Sequence, residues 1–192
     1  MTLTGVVLCG GRSTRMGQDK GALRFGSETM LERVTRIVGE VAERVVTVGR
    51  LDQHGITVHD SVEDLGPLSG IAAGLAASTT DLNVIVACDM PLVKPAVLRR
   101  LIDAIGDAEV CVAVVDGHPS VLCGVYRSRV VSAAQALLDT GERRVTRLLA
   151  RVTTTRVDGA LLRDIDPHLD SFLSVDTPEK YARALACVRA EG

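Results

Sequence analysis

Three stretches of the chain, GVVLC at 5–9, NVIVAC at 83–88 and VCVAVV at 110–115, are nearly unbroken apolar runs rich in β-branched residues. Strands with no polar side are covered on both faces, the situation found in a largely parallel sheet. RVVTVG at 44–49 and ITVHD at 56–60 are shorter strand candidates. Between these runs the apolar positions change period. From Glu28 to Ala42, the residues Met30, Leu31, Val34, Ile37, Val38 and Val41 form one stripe, with Glu32, Arg33, Arg36 and Glu40 opposite, which predicts an amphipathic helix. Val97, Leu98, Leu101, Ile102 and Ile105 repeat the pattern behind Pro95, a residue suited to a helix start. Ser128 is placed to cap a helix that buries Val130, Val131, Ala134, Leu137 and Leu138, and Thr177 followed by Pro178 opens a last helix.

Strands alternating with helices predict an α/β fold: a three-layer, mostly parallel twisted sheet with helices on both faces, in one domain over 1–192. Ligands bind such sheets outside the carboxyl ends of the strands. Aromatic residues make up 2% of the chain and Trp is absent, so the core must be aliphatic and stacking platforms for nucleic-acid bases are lacking. A net charge of -2 supplies no field for a polyanion, so no nucleic-acid partner is expected and a bound anion should be small. The five cysteines contain no CxxC pair and lie mostly in apolar runs, which argues against a disulfide framework or structural zinc. No apolar run approaches the roughly 18 residues of a membrane span and no leader-like segment heads the chain, so a cytoplasmic protein without membrane contact is expected.

Two places concentrate chemistry. LCGGRSTRMGQDK at 8–20 sets Gly10 and Gly11 behind the first apolar run and adds Arg12, Arg15 and Lys20. Glycine backbone can approach a ligand closely and aim N–H groups at phosphate oxygens, while three cations in one loop repel each other unless an anion joins them. Five residues separate Gly11 from Gly17 and Lys20 follows Gln-Asp, so this is not a Walker A loop; G-x-G-x-x-G is absent too. The second place is VIVACDMPLV at 84–93, where a buried strand delivers Asp89 into a loop at the same sheet edge. A carboxylate there suits Mg²⁺, which takes further oxygens from phosphate and water. Asp60 and Asp176 also follow apolar stretches; each alone reads as a cap or turn residue, and with Asp89 they can ring one crevice.

GVVLCGGRSTRMGQDKGAL (5–23) resembles the opening motif of nucleotidyltransferases with a glycosyltransferase-A-like, Rossmann-like α/β fold, and most closely that of the molybdenum cofactor guanylyltransferases. The resemblance continues in order through HDSVEDLGPLSGI (59–71), CDMPLV (88–93), GHPSVLCGVYR (117–127), GERRV (141–145) and FLSVDTPEK (172–180). Such collinearity is more specific than any one of these motifs. It implies transfer of GMP from Mg-GTP to the terminal phosphate of molybdenum-molybdopterin, giving the guanine dinucleotide cofactor and pyrophosphate. It also implies that Leu8, Cys9 and Gly10 hold the base and ribose, that Asp60 touches the nucleoside, and that Lys20 contacts the nucleotide phosphates; on physical grounds Gly11 joins the nucleotide-binding loop and Arg15 helps Lys20 to neutralise the triphosphate. Asp89 would hold Mg²⁺, and Ser174 and Asp176 would help to bind the pterin. Thr47 aligns with a nucleotide-binding asparagine of the family.

Cys9 stands where the family usually has Ala, and SVD replaces an asparagine-rich version. Leu8 and Cys9 backbone carbonyls, or Asp60, are candidates to accept the guanine N–H donors. Arg144, Arg147 and Arg151 have helical spacing and read as a solvated face, the sharper alternative being that Arg143 or Arg144 meets the pterin phosphate. His118, before Pro119, reads as a loop residue. Transient contact with molybdoenzymes or their chaperones would accompany delivery of the product. The rival readings are a cytidylyltransferase or other NTP transferase of the same fold, and a GTP-binding module in cofactor delivery that performs no chemistry.

Overall fold

A computed structural model describes residues 2–9, 20–49, 57–59 and 66–190, with backbone alone for Lys20, Arg189 and Ala190. In chain order it contains β1 (Leu3–Cys9), a 3-10 turn (Lys20–Ala22), β2 (Arg24–Phe25), β3 (Glu28–Thr29), α1 (Met30–Gly39), β4 (Arg44–Gly49), β5 (Val58–His59), α2 (Pro67–Ala77) and β6 (Leu82–Ala87). There follow α3 (Pro95–Ala104), β7 (Val110–Val115), β8 (His118–Arg127), α4 (Val130–Asp139), α5 (Val145–Leu149), β9 (Thr154–Asp158) and α6 (Pro178–Ala190). Seven strands form one sheet in the order β5-β4-β1-β6-β8-β7-β9, and β2 with β3 makes a small separate hairpin. Only β8 runs against the other strands of the sheet, being antiparallel to both β6 and β7. The sheet is therefore mostly parallel, with the carboxyl ends of β1, β4, β5 and β6 along one edge.

The apolar runs become the strands predicted for them. β1 and β6 are buried along their whole length, since aliphatic clusters cover both faces of the sheet. One cluster joins Val34, Val38, Leu98 and Leu101 of α1 and α3 to Val7, Val84 and Val86. The other joins Leu68, Ile71 and Leu75 of α2, with Ala134, Leu137 and Leu148, to Val6, Ile85 and Tyr126. Tyr126 departs from the aliphatic make-up of this second cluster: it is fully buried, and its hydroxyl donates to the Val121 carbonyl at 2.7 Å.

Several elements differ from their sequence signals. The first helix begins at Met30 because Thr29 caps it in a reciprocal capping box with Glu32, and Glu28 belongs to β3. Ser128 does not cap α4. Its hydroxyl donates to the Thr80 carbonyl and accepts from Asn83 Nδ2 at 3.0 Å, tying the chain before α4 to the foot of β6. Thr177 does cap α6, accepting from the Lys180 N–H at 3.3 Å. His118 is the first residue of β8 and not a loop residue; its Nδ1 lies 2.8 Å from the Asp116 carbonyl oxygen. α5 has five residues, so Arg151 lies beyond it and Arg144 is its N-cap.

α2 has no amphipathic signal because it is apolar all round, wedged between the sheet and α4. It reaches β1 at Gly74, where an added Cβ would stand 2.3 Å from Val6 Cγ1. Its N-cap is Gly66, at φ +77°, a backbone conformation that favours glycine.

Candidate active site

At the carboxyl edge the last rung between β1 and β6 is the Cys88 N–H donating to the Leu8 carbonyl at 2.8 Å. Two tight turns follow, Met90 N–H to the Ala87 carbonyl at 3.1 Å and Val93 N–H to the Met90 carbonyl at 3.2 Å, and they lift half-buried Asp89 off the strand tip. A segment from far along the chain lies against it. The Val175 N–H donates to the Asp89 carbonyl at 2.7 Å, and Ser174 Oγ donates to Asp89 Oδ2 at 2.9 Å. Asp89 is thereby fixed by main chain and side chain at once.

The strap carrying Ser174 is anchored by a buried charge. Asp166 is 0% exposed; its Oδ2 accepts from the Ser171 N–H at 2.9 Å and its Oδ1 lies 3.1 Å from Lys94 Nζ. The Lys94 N–H in turn donates to Ser171 Oγ at 3.0 Å. Burial pushes the Asp166 carboxyl upward, but the Ser171 hydrogen bonds and the Lys94 ammonium outweigh it and hold the carboxyl below its usual range. Nothing in the spacing of DIDPHLDSF announces this anchor.

A third, smaller apolar cluster lies at the same edge: Phe25, Met30, Leu92, Val175 and Ala184, with Leu173, Tyr181 and Leu185 packed on it. It joins the hairpin after the Lys20–Ala22 turn, the loop after Asp89, the strap and α6. Tyr181 stands edge-on to Phe25, ring centroids 6.3 Å apart, and its hydroxyl donates to the Arg24 carbonyl. Arg33, predicted on the solvent face of α1, turns inward instead. Its guanidinium lies 5.2 Å from the Phe25 ring centroid and its Nε donates to the Pro91 carbonyl at 2.8 Å.

Of the residues singled out from the sequence, Asp89 and Ser174 are brought into direct contact. Asp176 lies two residues on, its Oδ1 2.6 Å from Lys180 Nζ at the start of α6. Leu8 and Cys9 end β1 beside this loop, both buried; the Leu8 carbonyl is already a ladder acceptor and its side chain faces the α2 side of the sheet. Thr47 exchanges hydrogen bonds with Thr57 across β4, so its hydroxyl is engaged inside the sheet edge. Gly10, Gly11, Arg12, Arg15 and Asp60 lie outside the described residues, as does the side chain of Lys20, whose backbone begins the 3-10 turn. Arg143 lies just ahead of α5 and against the start of α2: its carbonyl oxygen is 3.7 Å from the place a Cβ would take on Gly66. Arg144 grips Glu142 with two nitrogens, at 3.0 and 2.9 Å, and with the Arg144 and Arg143 backbone N–H groups pulls the Glu142 carboxyl down to about 2.

The sheet is mostly parallel with one reversed strand, and a buried strand delivers a carboxylate to its carboxyl edge. The chain belongs to the MobA-like NTP transferase domain family, whose model matches residues 5–156. It is 32% identical over 186 residues to a probable molybdenum cofactor guanylyltransferase of Pelotomaculum thermopropionicum, covering 94% of this chain and 91% of that one. A molybdenum cofactor guanylyltransferase of Desulfosudis oleivorans is 30% identical over 195 residues, with 98% and 96% covered. The crystal structure of molybdopterin-guanine dinucleotide biosynthesis protein A from Archaeoglobus fulgidus superposes with a TM-score of 0.84 at 24% identity, over 97% of this chain and 99% of that one. Among the described residues no helix is long and apolar enough to cross a membrane.

Proposed function

We propose that this protein, as one nucleotidyltransferase domain over 1–192 acting in the cytoplasm, transfers GMP from GTP to the terminal phosphate of molybdenum-molybdopterin. The products are the guanine dinucleotide cofactor and pyrophosphate, the cofactor then passing to molybdoenzymes or their chaperones. The observation that carries this reading is the contact of Asp89 with Ser174 and Val175 across 85 positions of sequence. It joins the segment assigned to the nucleotide metal to the segment assigned to the pterin. The family and the near full-length likeness to two guanylyltransferases support the same chemistry.

The donors gathered at the tip of β6 fit Mg²⁺. Asp89 offers a carboxylate and Ser174 a hydroxyl, both hard oxygens, while the neighbouring Cys88 is turned into the core. Among the described residues no group of three or more His, Cys, Asp or Glu converges, so such an ion would take its other oxygens from phosphate and water. Asp89 would hold it, and when bound it supplies positive charge to the triphosphate.

Pyrophosphate is the leaving group and the attacking pterin phosphate is already anionic, so no strong general base is needed. The task is to bring two anions together and hold them in line, which makes positioning and electrostatics the main contributions. Lys20 and Arg15 neutralise the triphosphate and the departing pyrophosphate, with Gly10 and Gly11 offering backbone N–H groups and Asp60 facing the nucleoside. The Cys9 backbone and Asp60 are the better acceptors for guanine, the Leu8 carbonyl being engaged by Cys88. Arg143 or Arg144, just ahead of α5, would meet the pterin phosphate. Ser174 has a second duty besides the pterin, orienting the Asp89 carboxylate.

The test is mass spectrometry of purified protein with molybdenum-loaded molybdopterin and either Mg-GTP or Mg-CTP. The expected result is a guanylylated pterin and pyrophosphate from GTP alone. A cytidylylated product would assign the protein to the cytidylyl branch, and tight GTP binding with no product would mark a module without chemistry.

A further inference from the structure

α1 carries a polar stripe, and one member of it leaves that stripe. The Arg33 side chain is 20% exposed, against 50% for Arg36 one turn later, because it folds inward over the Phe25 ring. A guanidinium on a ring face at 5.2 Å leaves its edge nitrogens pointing sideways, and here Nε donates to the Pro91 carbonyl at 2.8 Å. Its other flank is 3.9 Å from Glu28, whose carboxylate is bound more closely by Arg36 at 2.7 and 3.1 Å. Arg33 therefore spans two pieces of chain 66 residues apart: Phe25, five residues after Lys20, and Pro91, two residues after Asp89.

Both pieces also rest on the small cluster of Phe25, Met30, Leu92 and Val175. That cluster is aliphatic apart from Phe25 and Tyr181 and fixes only approximate spacing, since apolar contacts have no direction. A planar cation donating along a fixed axis while stacked on a ring does have direction. We infer that Arg33 is a positioning residue, setting the separation between the turn that begins with Lys20 and the loop that carries Asp89. This rests on the proposed function, in which Lys20 and Asp89 serve one nucleotide. Small errors in the placement of reacting groups are costly: a displacement of about 1 Å can cost on the order of 100-fold in rate.

The experiment measures kcat, KM for GTP and Tm for the wild type, Arg33→Met and Arg33→Lys in the guanylyl-transfer assay. Met keeps the apolar stem over Phe25 and removes the donor. Lys restores a cation able to reach either the ring or the carbonyl, but not both in the stacked geometry. In Arg33→Met, kcat should fall by roughly 10- to 100-fold, KM for GTP should change less than about threefold and Tm should move by only a few degrees. Arg33→Lys should recover part of the lost kcat. Unchanged kcat in Arg33→Met beside an active wild type would overturn the inference alone, as would a kcat loss that follows Tm in both variants. A wild type that makes no product would overturn the proposed function and, with it, this role.

Discussion

Replacing Lys94 by Met removes the ammonium that stands 3.1 Å from Asp166 and leaves a fully buried carboxylate held by Ser171, whose N–H donates to it at 2.9 Å. Breaking a wholly buried pair costs about 3–5 kcal/mol. Here Lys94 is 34% exposed, and water can approach its side of the pair, so the cost is put at about 1.5–3 kcal/mol, the range of hydrogen bonds to charged groups. For a chain of this size that corresponds to roughly 3–12 °C in Tm. The pH dependence has a definite sign. The Asp166 carboxyl is held below the ordinary aspartate value of about 3.8, so its contribution is present above that value and is lost as pH falls through the lower folded one. Without Lys94 the folded pKa rises, and acid unfolding of Lys94→Met should begin at higher pH than in the wild type. Thermal and urea melts at pH 7 and down to pH 3 measure both effects, and adding Asp166→Asn should recover part of the loss by removing the stranded charge. A Lys94→Met protein that melts with the wild type throughout, or a double variant less stable than the two losses summed, would refute the reasoning.

Gly74→Ala should destabilise by about 1–3 kcal/mol, since its Cβ would stand 2.3 Å from Val6 Cγ1 and force α2 off β1; a denaturant midpoint reads this directly. Glu142 should titrate near 2 in a carboxyl NMR titration, and Arg144→Met should return it toward 4.5, because the Arg144 side chain is the main cause of the shift. The thiols of Cys111 and Cys123, raised by burial to about 11 and about 12, should resist alkylation at pH 8 in the folded protein and react once it is unfolded.

The strands were legible wherever two covered faces forced an unbroken apolar run, as in β1, β6 and β7. α1, α3 and α4 were legible because one face of each meets water. α2 was hidden by the opposite circumstance: packed against the sheet and α4, it shows no polar stripe for periodicity to find. β8 was obscured because Pro119 and Gly124 interrupt its pattern and its first residues pair through a bulge with β7. At the site, Asp89 announced itself as a charge at the end of a buried strand. Ser174 entered through the likeness of its segment to a family motif, and its bond to Asp89 came from the fold. Arg33, Lys94 and Asp166 carried no sequence signal, since a brace is defined by what it reaches, and Pro91, Phe25 and Ser171 are remote or unremarkable in the chain.

The central claim is that the turn starting at Lys20 and the tip bearing Asp89 grip one magnesium nucleotide, and ligand-induced stabilisation of three proteins tests it most directly. Saturating Mg-GTP, at about 100 times its Kd, should stabilise the wild type by about 2.7 kcal/mol. Lys20→Ala and Asp89→Asn, melting like the wild type without ligand, should each lose most of that gain. If either variant kept the full Mg-GTP shift, the two segments would not share a ligand and the account would be contradicted.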